Sequence, residues 1–240
     1  MTVASGRPIL RGVEGYEDLE LRTVESARVG RDDLAAMHAL FDLCYREANH
    51  AYLEKSLTVL KHLALAYRDG VLAGFALAEH RVLDLPRLPG TDVNLAGMSC
   101  IHPDFRRRRL FVTLERAASL AGGHDITKAV RVLGCGRMAH PASFRGMTLN
   151  PTVVPKPGVA PTAWQQAVGQ AIADAYGVRE FDPRTFVCRG SGVPIGYPVL
   201  DLGDVRPGEW EVFREVDRDR GDSLLGIAWT PGAPEGWEAP

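Results

Sequence analysis

Between Asp92 and Ala121 the chain reads DVNLAGMSCIHPDFRRRRLFVTLERAASLA, and this stretch limits the possible folds more than any other. An apolar run of strand character breaks at His102-Pro103, four arginines follow, and a helix-spaced pattern begins. A strand, a basic loop and a helix start in that order aim several unpaired backbone N–H groups at one point. The helix dipole favours negative charge there, so the junction suits a phosphate or pyrophosphate. Arg106, Arg107, Arg108 and Arg109 add side-chain charge. Positive charge at a helix start opposes the dipole by roughly 0.3 to 1 kcal/mol per charge, which makes sense where a polyanion normally sits among the arginines.

The junction resembles the acyl-coenzyme A binding motif of the GNAT superfamily of N-acetyltransferases, in which a strand ends in a hydrophobe, often followed by x-Pro, and Gln/Arg-x-x-Gly-x-Gly/Ala opens a helix. Ile101-His102-Pro103-Asp104-Phe105-Arg106 fits the lead-in. The two glycine positions hold Arg109 and Phe111, so the loop lacks the residues that let backbone approach a pyrophosphate without steric conflict. The resemblance implies an α/β fold of the α+β type: a mixed, mostly antiparallel sheet flanked by helices. It covers residues 19–150. Residues 1–18 are expected as a loose arm, 151–230 as a helix-containing extension that completes the sheet, and 231–240 as a loose tail.

With 240 residues, 45% hydrophobic and 24% charged, the composition is that of an ordinary globular protein. A formal net charge of −2 gives no reason to expect nucleic acid or an anionic membrane as the main partner. Neither a span of about 18 apolar residues nor a signal peptide is visible, so a cytoplasmic protein is expected. Cys44, Cys100, Cys135 and Cys188 are widely spaced and form no ligand cluster, which points to buried free thiols and no metal.

Along the chain, a first strand is expected at Leu19 to Val24. A helical repeat through Leu34, Met37, Phe41, Cys44, Ala48 and Tyr52 follows, with Asp32 or Asp33 as N-cap and a break near Asn49. Two apolar runs around Asp69-Gly70 predict a hairpin with a type I′ turn. Pro86, Pro89 and Gly90 read as a loop, with the next strand starting at Asp92. Ala129 to Gly136 reads as a strand and His140 to Met147 as a short helix. Thr162-Ala-Trp-Gln165 is a capping box, opening a helix with Trp164, Val168, Ile172 and Tyr176 inside and Gly177 as its stop. Thr185 to Arg189 and Leu224 to Trp229 read as strands, with a charged helix at Glu209 to Arg218 between them.

What the resemblance implies about chemistry is acyl transfer from acetyl-CoA or another acyl-CoA to an amine of a small molecule. An acyl carrier protein as donor partner, and a non-catalytic binding protein of the same fold, are the alternatives. Ser99, Cys100 and Ile101 would line the acyl end of the cofactor, and the four arginines with Leu110 and Phe111 its pyrophosphate. His140 and Ser143 stand where the family contacts the far end of the pantetheine or the adenosine diphosphate. Tyr45, His50 and Tyr52 stand on the acceptor side. The tyrosine that commonly protonates the leaving thiolate is replaced by Met147, and the usual strand carboxylate by Leu95. Glu79 and His80, then Asp92, are the nearest candidates for a base.

Overall fold

The computed structural model describes residues 18–45, 47–106, 109–123, 130–190 and 205–238. Eight strands form one sheet: β1 (Glu20–Glu25), β2 (His62–Arg68), β3 (Val71–Leu85), β4 (Leu88–Ile101), β5 (Val132–Met138), β6 (Glu180–Asp182), β7 (Val187–Arg189) and β8 (Ser223–Thr230), in the order β1-β2-β3-β4-β5-β8-β7-β6. Every pairing is antiparallel except β4 with β5. The mixed, mostly antiparallel sheet flanked by helices is therefore what forms.

The hairpin expected at Asp69-Gly70 is present, with φ of 49° and 79° at its two central residues. A second hairpin corrects the expected Pro86 to Gly90 loop: β3 runs on to Leu85 and β4 starts at Leu88, four residues before Asp92. Pro86 and Arg87 form its turn, Arg87 with φ 66°.

Helix α1 (Arg31–Cys44) has Gly30 as its N-cap, two residues before the first of the expected caps. Asp33 is used elsewhere: its carboxylate accepts from the Arg22 guanidinium on β1 and from the Tyr67 hydroxyl on β2 at 2.7 Å. The helical repeat does break at Asn49, whose side chain accepts from the Tyr52 N–H and caps α2 (His50–Val59). Met37, Leu40, Phe41, Cys44 and Leu53 bury one face of this pair against the sheet.

Helix α3 (Leu110–Ala121) packs Leu110, Leu114, Ala117 and Ala118 on a bed of Ala64, Ala66, Ala73, Ala76 and Ala78 from β2 and β3. The bed is alanine because a helix needs close approach to lie flat on a twisted sheet. Helix α4 (Pro141–Thr148) follows β5, and α5 (Ala163–Ala175) begins with the expected box: the Gln165 N–H donates to Thr162 Oγ1 at 3.2 Å while Gln165 Oε1 accepts from the Thr162 N–H at 2.9 Å. Trp164, Val168, Ile172 and Tyr176 are buried, and Gly177 has the left-handed φ of 68° that ends the helix.

Two further expectations need correcting. The charged helix at Glu209 to Arg218 is a 3-10 helix over Pro207–Phe213. The segment after β8 is not loose where it is described, because Trp237 is buried between Trp164 and Trp229, with ring centroids 5.4 and 5.5 Å away. Its indole N–H donates to the Thr152 carbonyl at 3.2 Å. Nearly all of the expected N-terminal arm lies outside the described residues. All four cysteines are free and buried.

A forked cleft between two parallel strands

β4 and β5 pair from Asp92 with Val132 to Ala96 with Gly136, and no further. The cause is an extra residue in β4. Ala78 of β3 faces Ala96 and Ala76 faces Ser99, so Leu77 is opposed by both Gly97 and Met98. A bulge of this kind bends its strand and sharpens the local twist. From Gly97 to Ile101, β4 keeps only β3 as a strand neighbour, while β5 continues to Met138 beside β8. The fork thus opens beyond Ala96 and Gly136, and Ser99 to Ile101 lie on its β4 arm.

A side chain at the bulge would force its neighbours to shift. A Cβ on Gly97 would fall 1.9 Å from Leu60 Cδ1 and 3.1 Å from the Leu77 carbonyl oxygen. A hydroxyl closes the base of the fork: Tyr176, at the end of α5, has its oxygen 2.7 Å from the Ala96 carbonyl oxygen and 3.0 Å from that of Cys135. Sequence alone had Tyr176 as core and gave no sign of this contact, which joins residues 80 positions apart.

The fork opens into a cavity of about 440 Å³. Its walls come from α2 (Tyr52, Lys55, Ser56), the bulged part of β4 (Gly97, Met98, Ser99), the start of α3 (Phe111, Val112, Glu115), β5 (Gly134 to Met138) and α4 (His140, Ser143, Met147), with Tyr45 and Tyr176 completing it. Gly134 and Gly136 leave space where side chains would otherwise fill the groove. Of the expected site residues, Ser99, Phe111, His140 and Ser143 are on these walls, as are Tyr45 and Tyr52.

The other expected residues that are described do not line it. Cys100 is buried with its thiol toward the Leu40 carbonyl at 3.7 Å, and the Cys44 thiol lies 3.4 Å from the Ile101 carbonyl. Leu110 is buried under α3. Arg106 turns back, its Nε donating to the Ile101 carbonyl at 3.1 Å. Arg107 and Arg108 lie outside the described residues. Arg109 is the N-cap of α3 with φ 65°. That is the left-handed backbone that glycine adopts without strain. His50 stacks on His38 at 4.3 Å and bonds Asp42 at 2.7 Å, away from the cavity.

The residues expected as base candidates do not line the cavity. Glu79 is buried, with one oxygen 2.8 Å from Arg81 Nη2 and the other 3.3 Å from Lys61 Nζ. Burial pushes its pKa up, but the Arg81 and Lys61 charges outweigh burial and hold it below the usual carboxylate value. Arg81 in turn donates to the carbonyls of Val59 at 3.0 Å and Ala175 at 2.9 Å, satisfying the C-terminal ends of α2 and α5. Glu79 is therefore half of an anchor and no free base. His80 bonds Asp92 at 2.9 Å, and neither lines the cavity.

The titratable carboxyl on the cavity wall is Glu115, whose pKa desolvation raises to about 8. Its position in an amphipathic helix resembles any surface glutamate, so sequence offered no signal for it. His140 is kept neutral: desolvation first, then Arg218 and Arg145, lower its pKa to about 4. Its Nδ1 accepts from the Ala142 N–H at 3.1 Å and so caps α4.

No group of His, Cys, Asp and Glu among the described residues could hold a metal ion, and none of their helices is long and apolar enough to cross a membrane. No protein-family model and no curated protein matches the sequence. Among solved structures the chain is similar to the ribosomal-protein-S18-alanine N-acetyltransferase from Escherichia coli, at 12% identity over 91% of this chain and 99% of that one, TM-score 0.40. It is similar to the aminoglycoside N-acetyltransferase AAC(6')-Iy in complex with CoA, at 16% identity over 68% and 90%, TM-score 0.35. It is also similar to Naa50 of Arabidopsis thaliana in complex with a bisubstrate analogue, at 9% identity over 54% and 80%, TM-score 0.37. Likenesses of this size leave the function to be argued from the cleft itself.

Proposed function

We propose that the chain is an N-acyltransferase that moves an acetyl or other acyl group from a coenzyme A thioester to the amine of a small molecule. The observation that carries this reading is the fork between β4 and β5, opened by one inserted residue and floored by a tyrosine hydroxyl. An extended amide-bearing arm fits such a slot, because the bulged edge of β4 offers backbone groups that no strand takes up.

The residues present fit the donor. The pyrophosphate would meet the N-terminal turn of α3, where the N–H groups of Leu110, Phe111 and Val112 have no partner within the helix and Arg109 supplies charge. The ring of Phe111 narrows this end of the cavity, which favours approach from the side of the loop. His140 and Ser143 would flank the arm from α4. Backbone N–H groups near Ser99 would stabilise the oxyanion that forms when the amine attacks the thioester carbonyl.

In that reaction a C–N bond forms, the C–S bond breaks, and one proton moves from nitrogen to sulfur. A carboxyl titrating at about 8 holds a proton at neutral pH and exchanges it readily, so Glu115 is the wall group suited to carry it. It would take over the work of the tyrosine replaced by Met147.

Calorimetry with coenzyme A, followed by thiol release from acetyl-CoA in the presence of mixed primary amines, tests the proposal. Saturable binding and amine-dependent thiol release are expected. No binding of coenzyme A at millimolar concentration would end it.

A further inference from the structure

Arg137 is the next residue of β5 after Gly136, the last to pair with β4, so its side chain enters where the strands part. Its Nε donates to Ser223 Oγ at 3.3 Å. The guanidinium carbon lies 6.0 Å from the Tyr52 ring centroid and 5.8 Å from that of Tyr176, so two aromatic faces border it. Its Nη2 is shut off from solvent and has no hydrogen-bond partner among the described residues.

A guanidinium in such a position is costly. Taking a cation out of water is repaid only when every donor is satisfied and an opposite charge is near. Cation–π contact with tyrosine offsets part of the desolvation and leaves the Nη2 donor unused. No carboxylate of the chain comes to it among the described residues. The buried acid next to its partner Ser223, Asp222, is already taken by the Arg220 guanidinium and by the backbone N–H of Gly190 at 2.7 Å. A surplus cation with an unused donor on the cavity wall is what a carboxylate on the bound small molecule would satisfy.

We infer that Arg137 binds the carboxylate of the acceptor, and that the acceptor is therefore an amino acid in the broad sense, a small amine that carries a carboxylate. The planar fork of a guanidinium matches a carboxylate's two oxygens, and the site has room for that pairing between Tyr52 and Tyr176. The inference deepens the acyltransferase reading and rests on it for the fate of the amine, but binding of the carboxylate stands apart from catalysis.

Two measurements on the full chain separate these. In the first, the pool of common L-amino acids and the pool of their carboxamides are added without acetyl-CoA, and thermal unfolding is followed. The free acids should raise the unfolding temperature of the wild type and leave Arg137→Gln unmoved, and the carboxamides should shift neither. The unliganded variant should be at least as stable as the wild type, since it loses no ion pair. Absence of the free-acid shift overturns the inference, whatever becomes of acyl transfer.

In the second, thiol release is measured with both pools and with either acetyl-CoA or succinyl-CoA. The free acids should turn over about 30-fold faster than the carboxamides at low concentration, the size of a charged hydrogen-bonded contact. Arg137→Gln should erase that preference through KM, and Arg137→Lys should keep part of it. Equal rates on acids and carboxamides would overturn the inference. So would a preference for succinyl-CoA with indifference to the amine, since the carboxylate would then arrive on the acyl group. A thermal shift with free acids but no turnover would overturn the acyltransferase reading and keep the site.

Discussion

The hydroxyl of Tyr176 lies 2.7 Å from the carbonyl oxygen of Ala96, the last residue of β4 that still holds β5. The same oxygen is 3.0 Å from the Cys135 carbonyl on the other strand, so one group from the C-terminal half bridges the fork at its base. Tyr176→Phe should lower stability by about 1 to 2 kcal/mol, the usual loss when a buried hydrogen bond to a carbonyl is removed. Coenzyme A affinity should fall with it, because the width of the slot is no longer fixed. Chemical denaturation and calorimetry read the two effects; a variant as stable as the wild type would mean that the bridge is incidental.

Arg109 offers a substitution with opposite effects on folding and binding. Its φ of 65° strains a side chain that glycine does not have, so Arg109→Gly should raise stability by roughly 1 kcal/mol. The same change removes a cation from the start of α3, and coenzyme A should bind about tenfold more weakly. Greater stability without loss of affinity would remove Arg109 from the proposed phosphate site.

Glu115 makes stability depend on pH in an unusual direction. With its pKa raised to about 8 from an unfolded value of 4.5, the folded chain holds a proton that the unfolded chain has released between those limits. Stability should therefore fall as pH rises from about 4.5 to about 8 and level off above, compared with Glu115→Gln, which lacks this slope. Denaturation of both proteins at pH 5, 7 and 9 measures it. In thiol-release assays the wild type should show an ionisation near pH 8 that the glutamine variant has lost.

Glu79 should matter for folding and not for chemistry. Glu79→Ala leaves the part-buried Arg81 beside the ends of α2 and α5 without its counter-charge, and a loss of about 1.5 to 3 kcal/mol is expected. Because the carboxyl sits below its ordinary pKa, its contribution is present above that value and fades as pH falls through the folded pKa. Measured on folded protein, kcat should stay within about twofold of the wild type; a collapse of kcat in a stably folded variant would return Glu79 to the list of bases.

Local chemistry made part of this molecule readable in advance. Asp69-Gly70 announces a turn because both residues tolerate positive φ, Thr162 and Gln165 announce a helix because each satisfies the other's backbone N–H, and Asn49 marks the break between α1 and α2. The second hairpin was hidden because Pro86 and Arg87 are not turn formers of that kind, and Arg87 accepts φ 66° only with two long strands to hold it there. Tyr176, Arg137 and Glu115 were hidden for a different reason. Each owes its role to groups far away in the chain, and a tyrosine, an arginine or a glutamate looks the same in sequence wherever its neighbours come from.

The two-against-one pairing at Leu77 means that the cleft is written in the chain's length as well as in its composition. A strand with Met98 deleted would place Ser99 beside Gly97 and return the alternation of side chains to step with β3. The backbone edge now facing the cavity would then be free to zip onto β5 past Gly136, giving a better hydrogen-bonded sheet and a sealed one. Among related chains, a missing residue at this point would be a surer mark of a lost pocket than any exchange of one side chain for another.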